Sequence, residues 1–267
     1  MSFVLVRGGG PIASGVALRL HQAGYSVVIS EKPRPLTTRR RVSFAEAVYS
    51  GEIRVEGCMG CRVDDPSDTE LIEQVIAEEM IPILVDPNGE AITLLHPKVV
   101  IEGRMPPTPP AHLPESIQLL IGLGPGFVAG ENCDAVIETG RGNPKWRVIW
   151  DGAAKFDTSD LETVGGRTDV RILRAPVDGT VETYAEIGDL MVAGQSILQI
   201  HGHFVSAPID GILCGIVHPG LTVKRDTKVA EIDPRNDPRL CDQIPDQAIA
   251  AAGGVLEAIS RKFGKFR

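Results

Sequence analysis

The spacing of apolar positions changes period twice within the first thirty residues. Phe3 to Val6 is a continuous apolar run, the pattern of a short strand buried on both faces. After three glycines, Ile12, Val16, Leu20 and Ala23 recur at three- and four-residue spacing until Gly24 stops the helix. Tyr25 to Ser30 is again apolar and β-branched, and Glu31 closes it. Residues 1 to about 31 are thus expected to form a βαβ unit. Farther on, Leu71 to Glu79 has a helical pattern. Ile81 to Val85 reads as a buried strand ending at Asp86, before a turn at Pro87-Asn88-Gly89. Val99 to Ile101 and Gln118 to Ile121 are further short strand candidates. The segment Pro106-Pro107-Thr108-Pro109-Pro110 between them is too rich in proline for helix or central strand, and reads as a loop or polyproline stretch.

The last third has a different texture, with short apolar runs punctuated by Gly, Pro and Asp, and it repeats itself. Arg174 to Ile200 aligns without gaps on Ser206 to Ile232 at an offset of 32 residues. Ala175-Pro176-Val177-Asp178-Gly179 falls on Ala207-Pro208-Ile209-Asp210-Gly211, Gly188 on Gly220, and Ile197 on Val229. Each half then forms one set of strands bent by the same turns, and the two halves bury each other's apolar faces. This arrangement resembles the barrel-sandwich hybrid of biotinyl and lipoyl carrier domains. A carrier must present a lysine amine at the hairpin between its halves, but the hairpin here is His201-Gly202-His203-Phe204-Val205. Covalent biotin or lipoate is therefore not expected, and the module reads as structural or as a docking surface. Gln247 to Lys262 has apolar residues at helical spacing and is expected to form a C-terminal helix.

Composition narrows the function classes. The chain has 267 residues, with 27 Lys and Arg against 35 Asp and Glu, a net charge of −8 that argues against nucleic acid as a main partner. The start lacks the basic region and long apolar core of a signal peptide, and no run reaches the roughly 18 apolar residues needed to span a bilayer. Five cysteines, of which only Cys58 and Cys61 lie close together, do not suggest a secreted disulfide framework, so a reducing cytoplasm is expected. Cys58-Met59-Gly60-Cys61 has C-x-x-C spacing, but a structural zinc site needs two further ligands and no second pair is suitably spaced, so no metal site is assigned.

The first turn carries the clearest chemistry. Gly8, Gly10 and Ala13 have the G-x-G-x-x-G/A spacing of the dinucleotide fingerprint. The first glycine permits a tight turn, and the second lets the main chain approach a pyrophosphate. The small third residue lets helix and strand pack closely, and the helix start offers free N–H groups and a partial positive charge. Gly9 lies within the same turn. Glu31, 21 residues past Gly10, stands where an acid would accept from ribose hydroxyls. Pro11 removes one N–H from the seat. Lys32 and Arg34 favour a 2′-phosphate while Glu31 opposes one, which leaves NAD and NADP open. A turn of this shape that binds nothing is the alternative reading. Arg39-Arg40-Arg41 either clamps a second phosphate, with Arg39 and Arg40 as its ligands, or is a solvated basic loop. Gly122-Leu123-Gly124-Pro125-Gly126 is a second glycine loop after a strand. Asp86, at the carboxyl end of its strand, is a ligand-binding candidate or a helix cap. No catalytic base is evident: there is no Ser-His-Asp order, H-E-x-x-H or P-loop lysine.

Several segments together point to a family. Val6-Arg7-Gly8-Gly9-Gly10, Arg39 to Tyr49, Ile83-Leu84-Val85-Asp86-Pro87, Ile121 to Phe127 and Asp134 to Thr139, with the repeated Ala-Pro-x-Asp-Gly module, resemble the YqeB-type accessory proteins of selenium-dependent molybdenum hydroxylase systems. Members of that family usually carry an acidic residue where this chain has Pro11. The resemblance implies a cytoplasmic protein that helps mature a molybdenum hydroxylase of the xanthine dehydrogenase type. It implies no metal role for Cys58 and Cys61. The expected architecture is α/β: a Rossmann-like nucleotide-binding domain over 1–168, an all-β barrel-sandwich hybrid over 169–235, and a helical tail over 236–267. The expected ligand is NAD(P) or a molybdopterin dinucleotide, and the expected partners are the hydroxylase or its maturation proteins, with self-association also compatible. An accessory role is favoured over catalysis. The alternative is an NAD(P)-dependent oxidoreductase of a small substrate, which would need a proton donor that the sequence does not offer.

Overall fold

A computed structural model describes residues 3–105, 116–139, 147–154 and 171–264. The proline-rich stretch at 106–110 and the domain boundary expected near 168 lie outside them. The protein is a mixed α/β chain with one large mixed sheet and further antiparallel sheets. It divides into two compact units with interleaved chain segments. One contains Met1–Pro35, Ser43–Thr158 and Ile244–Arg267; the other contains Leu36–Val42 and Ser159–Gln243.

In the first unit, β1 (Val4–Arg7), α1 (Pro11–Gln22) and β2 (Val27–Glu31) follow the expected βαβ order. Next come α2 (Ala47–Ser50), β3 (Glu52–Val55), β4 (Cys58–Val63), α3 (Thr69–Ala77), β5 (Ile81–Val85) and α4 (Ala91–Leu95). Then come β6 (Val99–Glu102), β7 (Leu119–Leu123), β8 (Val128–Ala129), β9 (Ala135–Ile137), β10 (Val148–Ile149), β11 (Gly152–Ala153) and, near the C-terminus, α5 (Asp246–Phe263). A nine-stranded sheet has the order β10-β9-β7-β6-β1-β2-β5-β4-β3. Its strands from β9 to β4 are parallel, and β10 and β3 add antiparallel edges. The central strands are buried on both faces, which is why they read as unbroken apolar runs. From β1 the chain builds outward through β2, then crosses back to β6 on the opposite side, so the strand order reverses between β1 and β6.

One face of this sheet packs on α3 and α4 through Leu5, Val28, Ile72, Leu84, Ile92 and Val100. Elsewhere in the unit α1 and α5 press together. A Cβ on Gly15 would stand 2.4 Å from the Cβ of Ala248, so the helices meet at a glycine and an alanine. The buried residues of the C-terminal helix, Ala248, Ala251, Ala252, Val255 and Ile259, belong to the first unit. The pattern had shown a helix but not its partner.

The second unit contains β12 (Ile172–Arg174), β13 (Gly179–Thr183), β14 (Leu190–Met191), β15 (Ser196–Ile200), β16 (His203–Ser206), β17 (Gly211–Ile216), β18 (Thr222–Val223) and β19 (Lys228–Asp233). They form two antiparallel sheets, β12-β19-β17-β14 and β16-β15-β13-β18. Shifting every strand by the repeat turns one sheet into the other: β13 pairs β18 through Gly179↔Val223, and β17 pairs β14 through Gly211↔Met191. The repeated Asp has a repeated task. Asp178 accepts from the Arg225 N–H at 2.7 Å, and Asp210 accepts from the Ala193 N–H at 2.7 Å, so each half ties down a turn of the other. The repeated glycine is a close approach: a Cβ on Gly179 would lie 2.9 Å from Ile200, and one on Gly211 2.5 Å from Ile232.

Candidate functional site

Open α/β sheets bind ligands beyond the carboxyl ends of their strands, where the strand order reverses. In the first unit that place lies beyond β1 and β6, and the Gly8-Gly9-Gly10 turn occupies it. The three glycines are there for different reasons. Gly8 has φ +95°, a left-handed conformation, and its N–H donates to the Ser30 carbonyl at 2.8 Å. Gly9 lies under the following chain: a Cβ there would stand 2.7 Å from the Ala45 nitrogen, which itself donates to the Gly9 carbonyl at 2.9 Å. The Ser14 hydroxyl also donates to that carbonyl, at 2.9 Å, and accepts from the Phe44 N–H, so Ser14 pins the 43–45 segment over the turn. Gly10 needs neither special backbone nor space. Its φ is −68°, and a Cβ added there would meet nothing within 4 Å.

Gly10 is the N-cap of α1, with Pro11 in the first turn and no capping side chain. The N–H groups of Ile12 and Ala13 therefore lack intrahelical partners and carry the positive end of the helix dipole. Ala13 is small because β6 ends against it: a Cβ on Gly103 would come 2.8 Å from the Ala13 Cβ. Glu31 closes the other side of the turn. Its carboxylate accepts from the Gly9 N–H and from the Lys32 N–H, both at 2.7 Å.

Beyond the same strand ends lies a charged cluster that the sequence reading did not assign. Glu102, the last residue of β6, is 0% exposed and accepts from Arg7 Nη1 at 2.9 Å and from Arg104 Nε and Nη2 at 2.7 and 2.6 Å. Arg7 is the last residue of β1 and the register partner of Glu102. Burial lowers the Arg7 pKa and Glu102 opposes that shift; for Arg104 the hydrogen bonds it donates to Glu102 raise it. Arg7 and Glu102 each end an otherwise apolar strand. A charge closing a fully buried parallel strand is the signal that could have found them.

The other candidates fall as follows. Asp86 accepts from the Glu90 N–H at 2.7 Å and the Ala91 N–H at 3.2 Å, and so holds the start of α4. Arg39 and Arg40 belong to the second unit. There Arg39 donates to the Leu240 carbonyl at 2.6 Å and Arg40 to the Ile216 carbonyl at 2.9 Å, while Arg41 bonds the Ile187 carbonyl. Gly122 is bare because Phe127 fills its place, its ring 2.2 Å from where a Cβ would stand. Cys58 and Cys61 sit three apart on β4, so they point to opposite faces, and burial pushes the Cys58 thiol up to about 11. Among the described residues no cluster of three or more His, Cys, Asp or Glu could hold a metal ion, and no helix is long and apolar enough to cross a membrane.

No protein-family profile matches the sequence. It is 36% identical over 256 residues to the uncharacterized protein YqeB of Escherichia coli (strain K12). The chain is similar to YqeB. The match covers 96% of this chain, and so runs through both units, but 47% of YqeB, so the chain spans about half the length of that relative. This similarity to YqeB supports the resemblance carried by the motifs. No solved structure matches.

Proposed function

We propose that this protein is a YqeB-type accessory protein that binds a nucleotide or nucleotide-containing cofactor at the glycine turn of a Rossmann-like unit. The observation that carries this reading is Gly10. The fold explains Gly8 by its backbone and Gly9 by the overlying Ala45, yet neither constraint acts at Gly10, which stands open before the uncapped start of α1. A bare main chain at that point lets a phosphate reach the helix N–H groups. Glu31, already at the turn, meets the ribose. NAD(P) and a molybdopterin dinucleotide both have the required phosphates.

In the same proposal the second unit is a barrel-sandwich hybrid that docks rather than carries. Its β15–β16 hairpin turns through His201 and Gly202, which offer no amine for a cofactor amide. Beside it Tyr184 and Phe204, 54% and 63% exposed with ring centres 6.1 Å apart, form an apolar contact point. The motifs shared with YqeB-type proteins support a selenium-dependent molybdenum hydroxylase, or one of its maturation proteins, as the partner, in the cytoplasm.

Calorimetric titration with NAD, NADP, CTP and molybdopterin cytosine dinucleotide tests the nucleotide claim. Binding of at least one is expected, with loss of binding in Gly10→Val and only a small drop in melting temperature, since a Cβ added there meets nothing within 4 Å while valine is a poorer N-cap than glycine. Failure of all four to bind would sink the claim.

A further inference from the structure

The glycine turn alone is poorly equipped for a ligand with two phosphates. Pro11 has no N–H, and the Gly9 N–H is engaged by Glu31, so the donors left at the turn are those of Gly10, Ile12 and Ala13. The Arg7, Glu102 and Arg104 cluster lies directly beside it. A Cβ on Gly8 would stand 2.8 Å from Arg104 Cγ, so the bare first glycine is what lets the Arg104 stem cross the turn.

The cluster is built to hold Arg104 still. Both Glu102 oxygens are occupied, by Arg7, by Arg104 Nε and Nη2, and by the Arg104 main-chain N–H at 3.2 Å. Two guanidinium groups share this one carboxylate, which leaves the triad with one net positive charge. The Arg7 side chain is 9% exposed and that of Glu102 0%, whereas that of Arg104 is 32% exposed, and its Nη1 donates to nothing among the described residues. Glu31 and Asp86 also lie within electrostatic reach of Arg104 and offset that charge, and main-chain N–H groups engage both of these carboxylates. What the cluster offers an anion is therefore the fixed geometry of Arg104 and the donors at the start of α1 rather than net charge.

We propose that Arg7, Glu102 and Arg104 form a preset anion clamp in which Arg104 Nη1 takes the second phosphate of a nucleoside diphosphate or dinucleotide, the first lying at the start of α1. The inference rests on the phosphate-seat reading above and goes beyond it by assigning the second phosphate to Arg104, held in place by Glu102 and Arg7. An arginine already fixed by a carboxylate loses less side-chain freedom on binding, and charge-assisted hydrogen bonds to phosphate are the strong ones.

Titrating the full chain with AMP and ADP, and with CMP and CDP, separates the two claims, because each pair shares its base and ribose. Each diphosphate is expected to bind at least about tenfold more tightly than its monophosphate, the effect of one charge-assisted contact. Arg104→Met should erase that preference and leave monophosphate affinity unchanged; Arg104→Lys should keep part of it. A melting curve for each variant verifies folding, and Arg104→Lys retains the charge on Glu102 if the Met variant is unstable. Equal affinity for mono- and diphosphates in the wild type, or a preference that survives Arg104→Met, overturns the clamp while leaving the phosphate seat standing. No binding by any of the four overturns the clamp, and the phosphate seat falls with it only if NAD, NADP, CTP and molybdopterin cytosine dinucleotide fail to bind as well.

Discussion

Each unit buries a carboxylate between two cations, and the two triads differ in what surrounds them. In the second unit Glu231, on β19, is 8% exposed and is gripped by Arg171, from just before β12, and by Lys228, three residues earlier on its own strand. Arg171 is as buried as its partner, and strands of the symmetric module stand on either side of β19. In the first unit Glu102 is buried more completely, yet one of its cations reaches a partly open edge next to a glycine turn. The comparison teaches that a buried ion network is not itself a sign of function. What marks the first triad is its position at the strand-order reversal and a third of an arginine left exposed.

The largest expected effect comes from breaking the first triad. Glu102→Leu leaves the buried Arg7 guanidinium without its counter-charge, and removing one partner of a buried pair costs about 3–5 kcal/mol. Urea unfolding of the full chain measures it. Adding Arg7→Leu should recover most of the loss, because replacing a whole buried pair by apolar residues is often neutral. A double variant no more stable than the single would show that Arg7 contributes through packing against its neighbours rather than through Glu102.

The second triad sharpens the comparison through pH. Burial alone would raise the Glu231 pKa, but Lys228 and Arg171 outweigh it and hold the carboxyl below its ordinary value near 4.5. A group whose folded pKa is depressed contributes stability that is present above the unfolded value and lost as pH falls through the folded one. The β19 amides should therefore lose hydrogen-exchange protection as the pH drops below about 4.5, the unfolded carboxyl range. Glu231→Gln should lose protection at neutral pH and show a flatter acid limb. An acid limb unchanged by that substitution would assign the loss to Asp233, whose carboxyl is also held low, against burial, by Arg235.

What could be read from the sequence follows from how local the cause was. The βαβ start was legible because strand, turn and helix each leave a mark within a few residues. The strand pair β3 and β4 was not, since its turn is Glu56-Gly57 rather than the usual Asn or Asp with Gly, and Gly60 within it is bare for a distant reason, the Phe44 ring 2.7 Å from where a Cβ would stand. The ion pair of Arg7 with Glu102 joins residues 95 apart, and only strand register brings them together. Nor was the unit to which the arginine run belongs legible from its place in the sequence. Residues 36–42 cross into the second unit, where the Thr38 carbonyl accepts from the Ile216 N–H at 2.9 Å and Gly215 leaves room for Thr38, its absent Cβ 3.1 Å away.

The smallest expected effect tests the symmetry that most separates the second unit from the first. Asp178 and Asp210 hold equivalent main-chain N–H groups at equal distances, so Asp178→Ala and Asp210→Ala should lower the melting temperature by similar, small amounts. They differ in one respect: Asp178 also accepts from Lys224 at 2.8 Å, whereas position 192, the repeat equivalent of Lys224, is Val192. Exposed pairs of this kind add little. If turn-holding is the main task of both residues, the two variants should differ by no more than Lys224→Met costs by itself, and the double Asp variant should lose the sum of the single losses. A much larger loss for Asp178→Ala than for Asp210→Ala would mean that the symmetry of the backbone is not a symmetry of energy, and that the half containing β12 to β15 depends on its turns more than its copy does.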